Sequence, residues 1–153
     1  MSRVLQSLLL CLCLWLPIQF HHGLLPAPAK ILDIEQRDLH CLALNIYHES
    51  RGESLAGQAA VALVTLNRVH SPHWPRTVCG VVYQPRQFSW TLQRHKPVHD
   101  PRAWQTAVAV ARAAAEGRFQ HFSATHFHTH QVRPHWRKKL EVVTTIGNHI
   151  FYH

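Results

Sequence analysis

The chain has 153 residues and carries sixteen Lys and Arg against eight Asp and Glu, a net charge of +8 with histidine neutral. That length bounds it to one domain, and the basic excess draws polyanions. The basic residues are scattered, Arg137-Lys138-Lys139 being the only tight run, so no nucleic-acid-binding stripe is predicted and the run reads equally well as a solvated face.

Residues 1–29 read as a leader ahead of a domain at 30–153. Arg3 precedes an apolar run from Val4 to Phe20, and Ala27-Pro28-Ala29 supplies a small-residue cleavage site. Such a run also reaches the lower edge of what spans a bilayer, so a retained anchor is the alternative, and membrane contact is expected only in that case. Pro17 interrupts the run and favours cleavage. An exported chain of this charge meets anionic wall polymer or lipid headgroups rather than nucleic acid. Of the four cysteines, Cys11 and Cys13 leave with the leader. Cys41 and Cys79 are then the expected disulfide of an oxidising compartment, with two buried free thiols as the alternative.

Residues 34–50 carry Leu39, Leu42, Ala43, Ile46 and Tyr47 at helical spacing behind the capping pair Asp33 and Gln36, which places Glu49 in the last turn of a helix. Gly52 follows and suits the positive φ of a helix end. Residues 55–69 predict a second helix whose Ala59, Ala60 and Ala62 allow close packing, with Gly57 weakening its first turn. After the breaker Ser71-Pro72-His73-Trp74-Pro75, residues 77–83 predict a short helix, and Gln87-Phe88-Ser89-Trp90 alternates as a strand would. Asp100-Pro101 opens the clearest helix, residues 102–116, rich in alanine and stopped by Gly117. Beyond it residues 124–132, 142–146 and 149–152 read as strands, with Gly147-Asn148 as a tight hairpin turn. Helices followed by a small β element give the α+β class.

Two of the eight carboxylates fall in Glu49-Ser50-Arg51-Gly52-Glu53. A carboxyl shielded at the end of an apolar helix keeps its proton longer and suits a general acid, with Arg51 opposing. By spacing alone, an ordinary surface cluster with Arg51 is the better reading. Alternation in His126-Phe127-His128-Thr129-His130 would put three imidazoles on one strand face, a ligand set found around catalytic zinc. Fifteen histidines cluster easily by chance, however, and H-E-x-x-H is missing. Structural or sugar-binding histidines are therefore expected ahead of a metal site, and no cofactor is predicted. There is no G-x-S-x-G, Walker loop or paired C-x-x-C to support a serine hydrolase, a nucleotide site or a zinc ribbon.

Taken together, Cys41-Leu42-Ala43-Leu44-Asn45-Ile46-Tyr47-His48-Glu49-Ser50-Arg51-Gly52-Glu53, Gly57-Gln58-Ala59-Ala60-Val61-Ala62 and Leu66-Asn67-Arg68-Val69 resemble the cell wall hydrolases of the spore cortex-lytic (SleB-type) family. Thr77-Val78-Cys79-Gly80, Gln87-Phe88-Ser89-Trp90, Ala124-Thr125-His126-Phe127-His128 and the closing Ile146-Gly147-Asn148-His149-Ile150-Phe151-Tyr152 continue the resemblance in order. The resemblance implies a lysozyme-like or lytic-transglycosylase-like helical core with a small C-terminal antiparallel β element. It also implies action on peptidoglycan, with Glu49 as the catalytic acid. Strand placement and the resemblance together mark Gln87, Phe88, Ser89, Thr125, His126 and Tyr152 as substrate contacts. Core packing or hairpin pairing is the alternative for Phe88 and Tyr152.

The chemistry so implied is protonation of the glycosidic oxygen between N-acetylmuramic acid and N-acetylglucosamine. A hydrolase needs a second carboxylate about 5 to 9.5 Å away. A lytic transglycosylase does not, because the muramoyl 6-hydroxyl attacks and one Glu serves as acid and then base. The scarcity of acids favours the second route. The alternatives are an N-acetylmuramoyl-L-alanine amidase using zinc at His126, His128 and His130, and a non-catalytic wall-binding module. A periplasmic or wall-associated monomer is expected, an extracellular destination being the alternative.

Overall fold

The computed structural model describes residues 36–93 and 96–153, so the expected leader and Asp33 lie outside the described residues. Helix α1 (Gln36–Ser50) buries Cys41, Leu42, Ala43, Asn45, Ile46 and Tyr47. That burial extends around most of the helix because α2 (Leu55–His70), α3 (Val78–Val82) and α4 (Pro101–Ala115) all pack against it. Ser54 caps α2 by accepting from Gly57 N, and Thr77 caps α3 by accepting from Gly80 N. Asp100 caps α4 by accepting from the N–H groups of Arg102 and Ala103, with Pro101 in the first turn. No helix among the described residues is long and apolar enough to cross a membrane.

Helix α2 is buried on two faces. Ala59, Ala62, Leu66 and Val69 join the main core with α1, α3 and α4, while Ala60, Val61 and Val64 form a second cluster with Ala124 and Phe151 under the sheet. The alanines permit this double contact, since small side chains let a helix approach neighbours on both sides. The sheet has the order β1-β3-β2, all antiparallel, built from β1 (His126–Thr129), β2 (Val142–Ile146) and β3 (His149–Tyr152). Gly147, at φ 55°, makes the hairpin turn between β2 and β3. Four helices and a small antiparallel sheet are the α+β, lysozyme-like arrangement that the sequence implied.

Three local expectations change. Gln87-Phe88-Ser89-Trp90 is no strand: Ser89–Leu92 is a 3-10 turn, and its backbone bonds are local, Thr91 N to Phe88 O and Gln93 N to Trp90 O. Burial of Phe88 and Trp90 about exposed Ser89 mimicked strand alternation, but the Trp90 indole has to reach Asn45 Oδ1 (3.3 Å) in the core. Gly52 does not adopt positive φ; the only described positive-φ residues are Arg86, Gly117 and Gly147. α1 instead ends in a turn in which Glu53 N donates to Ser50 O. The first strand is shorter than 124–132, because the chain turns back after Thr129, with Val132 N donating to Thr129 O.

Cys41 and Cys79 are disulfide-bonded across 38 residues, fixing α3 to α1. Asp38 reinforces the same junction by accepting from the N–H groups of Val78 and Cys79, both at 3.0 Å. Closing a loop of that length stabilises by about 4 kcal/mol through the unfolded chain. Reduction, or Cys79→Ala, is therefore expected to lower the unfolding free energy by about that amount. Denaturant midpoints measured with and without reductant test this, and coincident midpoints would refute it.

Candidate active site

A groove of about 580 Å³ runs between the end of α1, the segment 86–92 and the exposed side of the sheet. Glu49 lies in its floor, in the last turn of α1. Burial pushes the Glu49 carboxyl up to about 7, against the opposing pull of the Lys96 and Arg68 charges. The carbonyl end of α1 adds a partial negative charge that also disfavours a carboxylate there. Arg51, expected to hold Glu49 ionised, turns elsewhere: its guanidinium lies 5.0 Å over the Tyr47 ring, and its Nη1 donates to Tyr47 O at 3.4 Å.

The cation that does reach Glu49 from the protein interior is Arg68, on α2. It is buried, its Nε donates to Thr125 O at 2.7 Å, and its guanidinium sits 4.3 Å from the Trp74 ring and 5.6 Å from that of Phe88. Burial brings its pKa down to about 10, with Glu49 pulling it upward, so it remains cationic at neutral pH. Arg68 was not singled out in the sequence. The signal was present, because Val61, Val64, Thr65 and Arg68 share one buried helical face, and a charge on such a face needs a reason.

Glu53, the second acid of the motif, lies outside this arrangement. Its Oε1 accepts from Asn148 Nδ2 at 2.9 Å and its Oε2 from Asn148 N at 3.2 Å, so it holds the β2–β3 turn. A Cβ on Gly147 would run into Glu53 Oε2, which is a second reason for glycine there. The other described carboxylates are also committed or remote. Asp38 and Asp100 cap helices, Glu116 pairs with Arg118, and Glu141 is exposed with its backbone paired to His153.

Of the residues singled out for substrate contact, Gln87, Phe88 and Ser89 line the groove with Glu49. His126 stands beside it, 5.1 Å from the ring of the groove residue Trp136 and 5.7 Å from that of Trp74. Thr125 and Tyr152 act from behind: the Thr125 carbonyl holds Arg68, and the buried Tyr152 hydroxyl is 2.8 Å from His128 Nε2. His128 Nδ1 is 2.8 Å from the Thr129 carbonyl, which can only accept, so Nδ1 carries a proton, and Nε2 pairs with the Tyr152 hydroxyl.

Three imidazoles on one face do not form. His126 and His128 share a face of β1, but His130 lies past the end of the strand and is exposed, its N–H donating to Asn148 O. Both ring nitrogens of His128 are already used. Among the described residues no group of three or more His, Cys, Asp or Glu is placed to hold a metal ion. His149, a further groove residue, is buried; desolvation lowers its pKa and the Glu53 carboxylate 3.9 Å away raises it. A larger depression of about 750 Å³ between α2 and α4 has Thr125 on its wall but neither Glu49 nor Arg68.

Residues 52–152 match the cell wall hydrolase family. A spore cortex-lytic enzyme of Bacillus cereus is 34% identical over 121 residues, which are 76% of this chain and 44% of the relative. One from Oceanobacillus iheyensis is 32% identical over 121 residues, again 76% of this chain and 41% of the relative. The chain thus spans less than half the length of these curated relatives. Among solved structures, the catalytic domain of the germination-specific lytic transglycosylase SleB from Bacillus anthracis superposes with a TM-score of 0.67. It is 32% identical, and the alignment covers 79% of this chain and 98% of that one. The catalytic domain of the Bacillus cereus SleB protein gives 0.67 at 30% identity, over 83% and 99% of the two chains. The chain belongs to the cell wall hydrolase family.

Proposed function

We propose that this chain cleaves the glycan strands of peptidoglycan as a lytic transglycosylase, with Glu49 as both acid and base. The observation that carries the reading is that Glu49 is, among the described residues, the one carboxyl lining the groove, with its pKa raised to about 7 by burial. Glu49 protonates the glycosidic oxygen and the C–O bond breaks through an oxocarbenium-like state. The resulting carboxylate then takes the proton of the muramoyl 6-hydroxyl as that oxygen closes on the anomeric carbon. Atoms and charge balance without water, and a 1,6-anhydro end results. The solved relative named a lytic transglycosylase supports this choice over hydrolysis, as does the engagement of Glu53 by Asn148.

The groove walls supply binding. Gln87, Ser89 and the faces of Phe88 and Trp136 are suited to a sugar ring, which offers hydroxyls at its edge and C–H groups on its faces. His126 flanks them, while Thr125 and Tyr152 contribute through Arg68 and His128. A wall substrate is met outside the cytoplasm, which supports reading residues 1–29 as a leader, and the Cys41–Cys79 bond suits an oxidising compartment.

Glu49→Gln is expected to abolish cleavage of purified peptidoglycan. Wild-type digests weighed by mass spectrometry are expected to show anhydromuramoyl ends; reducing ends, freed peptides or no products would each sink the transglycosylase reading. Glu53→Gln is expected to keep the same products while losing about 1 to 2 kcal/mol of stability, as one charge-assisted bond to Asn148 weakens. Complete inactivation of a folded Glu53→Gln would contradict its structural role.

Stability and activity should also separate at Glu49. Its folded pKa lies above the ordinary 4.5, so it contributes stability below pH 4.5 that is lost as pH rises through about 7. Gln cannot ionise, so above pH 7 the inactive Glu49→Gln protein should be the more stable by up to about 3 kcal/mol (7 − 4.5, at about 1.36 kcal/mol per pH unit). Denaturant melts at about pH 5 and pH 8 check this; a gap that does not widen with pH would disprove it.

A further inference from the structure

We propose that Arg68 is a positioning residue for the acid–base cycle of Glu49, a fixed buried cation that stabilises the carboxylate left after the first proton transfer. This rests on the lytic transglycosylase reading. In that cycle Glu49 passes from neutral to anionic and back, so a group that stabilises the anion acts only between the two halves of the reaction.

The geometry points to Arg68 for this part. It is only 5% exposed, and it is fixed on three sides by Thr125 O, Trp74 and Phe88. Its Nη1 is sealed from solvent and has no hydrogen-bond partner, while the side chain lines the same groove as Glu49, so its charge acts on that carboxyl through space. The ion pairs among the described residues are Arg118 with Glu116 and His149 with Glu53, which leaves Arg68 without a directly paired carboxylate. Burying a guanidinium without a directly paired carboxylate is costly. A leucine on that face would remove the cost, so a charge kept there calls for a compensating gain at a working site.

Lys96 exerts the larger pull on Glu49 at low salt, but neither it nor the other charged or titratable groups nearby supplies a field that survives screening. Lys96, on the chain before α4, and Arg86, on the groove rim, are exposed, and salt screens exposed charges within about 8 Å at physiological strength. His128 uses both ring nitrogens in hydrogen bonds, and burial lowers the pKa of His149, of His126 and of His48, so those three stay uncharged at neutral pH. Arg68 acts across a medium of lower dielectric, where a charge is felt further and salt does not enter. Glu49 and Arg68 shift one another in the sense this requires: the arginine pulls Glu49 down and Glu49 pulls the arginine up.

The test is the pH dependence of kcat and KM on purified glycan strands, from about pH 5 to 9, for wild type, Arg68→Gln, Arg68→Lys and Lys96→Met at low and high salt. Removing the charge makes Glu49 a weaker acid. For Arg68→Gln the alkaline limb should therefore move up by about one pH unit and the plateau kcat fall about tenfold, with KM little changed. Arg68→Lys should return the limb towards the wild-type position. Lys96→Met should move it at low salt only. Lys96→Met, a change at an exposed position, isolates the buried cation: with the surface charge gone, a limb held by Arg68 stays in place between low and high salt.

A Lys96→Met limb that still climbs with salt, or an Arg68→Gln protein that loses activity with its limb unmoved, would show that the arginine serves only packing. Either result with Glu49→Gln inactive and anhydro products present overturns this inference alone. An active Glu49→Gln would instead remove the functional reading beneath it.

Discussion

A helix enclosed on most of its sides needs partners for the polar groups it buries, and for Asp38, Asn45 and Tyr47 α1 finds them on its neighbours. Asn45, fully buried, donates to Thr65 on α2 at 3.2 Å and accepts from the Trp90 indole at 3.3 Å. The Tyr47 hydroxyl accepts from the N–H groups of His99 and Asp100, at 3.1 and 3.0 Å, which sets the entrance to α4. Asp38 takes the first N–H groups of α3. Each bond joins residues 20 to 53 positions apart, so together they fix the helical layer as one rigid unit around α1. Glu49 is the next side chain along, at the point where the enclosure opens into the groove. It inherits partial burial from the packed helix and substrate access from its end.

The second wall of the groove is held to the first by three links from the α1–α2 region. Asn67 donates to the carbonyls of Phe122 and Ala124, Arg68 donates to that of Thr125, and Glu53 binds the β2–β3 turn through Asn148. The sheet has three short strands and would be marginal alone. It is stable here because one face packs on Ala60, Val61 and Val64 while these links fix its position along α2. The same side chains thus set both the distance between the sheet and Glu49 and the electrostatics of that gap.

Much of this was legible in the residues, and the failures have physical causes. The helices were readable because their caps and periodicities are local: Asp100-Pro101, Gly117 and the apolar spacing of α1 act within a few residues. The hairpin followed from Gly147-Asn148. What misled was alternation without a partner. Phe88 and Trp90 are both buried about an exposed Ser89, yet no neighbouring strand exists to pair with them, and alternation cannot reveal that. The role of Glu53 was equally out of reach, since its partner Asn148 is 95 residues away. Arg68 differs from these, because a lone charge on the apolar face of an alanine-rich helix is visible in the sequence to anyone counting in steps of three and four.

The two glutamates of the five-residue motif show how environment, and not residue type, assigns chemistry. Glu53 receives two N–H donors from Asn148, one from its backbone and one from its side chain, and so is fixed as a latch on the hairpin. Glu49, four residues earlier, meets desolvation first and the Lys96 and Arg68 charges second, so its carboxyl holds its proton up to about pH 7. Among the described residues Glu49 is the one carboxyl lining the groove, while the second acid of the motif is engaged by the hairpin. On the lytic transglycosylase reading proposed for this groove, the nucleophile is the muramoyl 6-hydroxyl and comes with the substrate. The contact between Glu53 and Asn148 thus does two things at once in this fold: it occupies the second acid and it ties the β2–β3 turn to the end of α1.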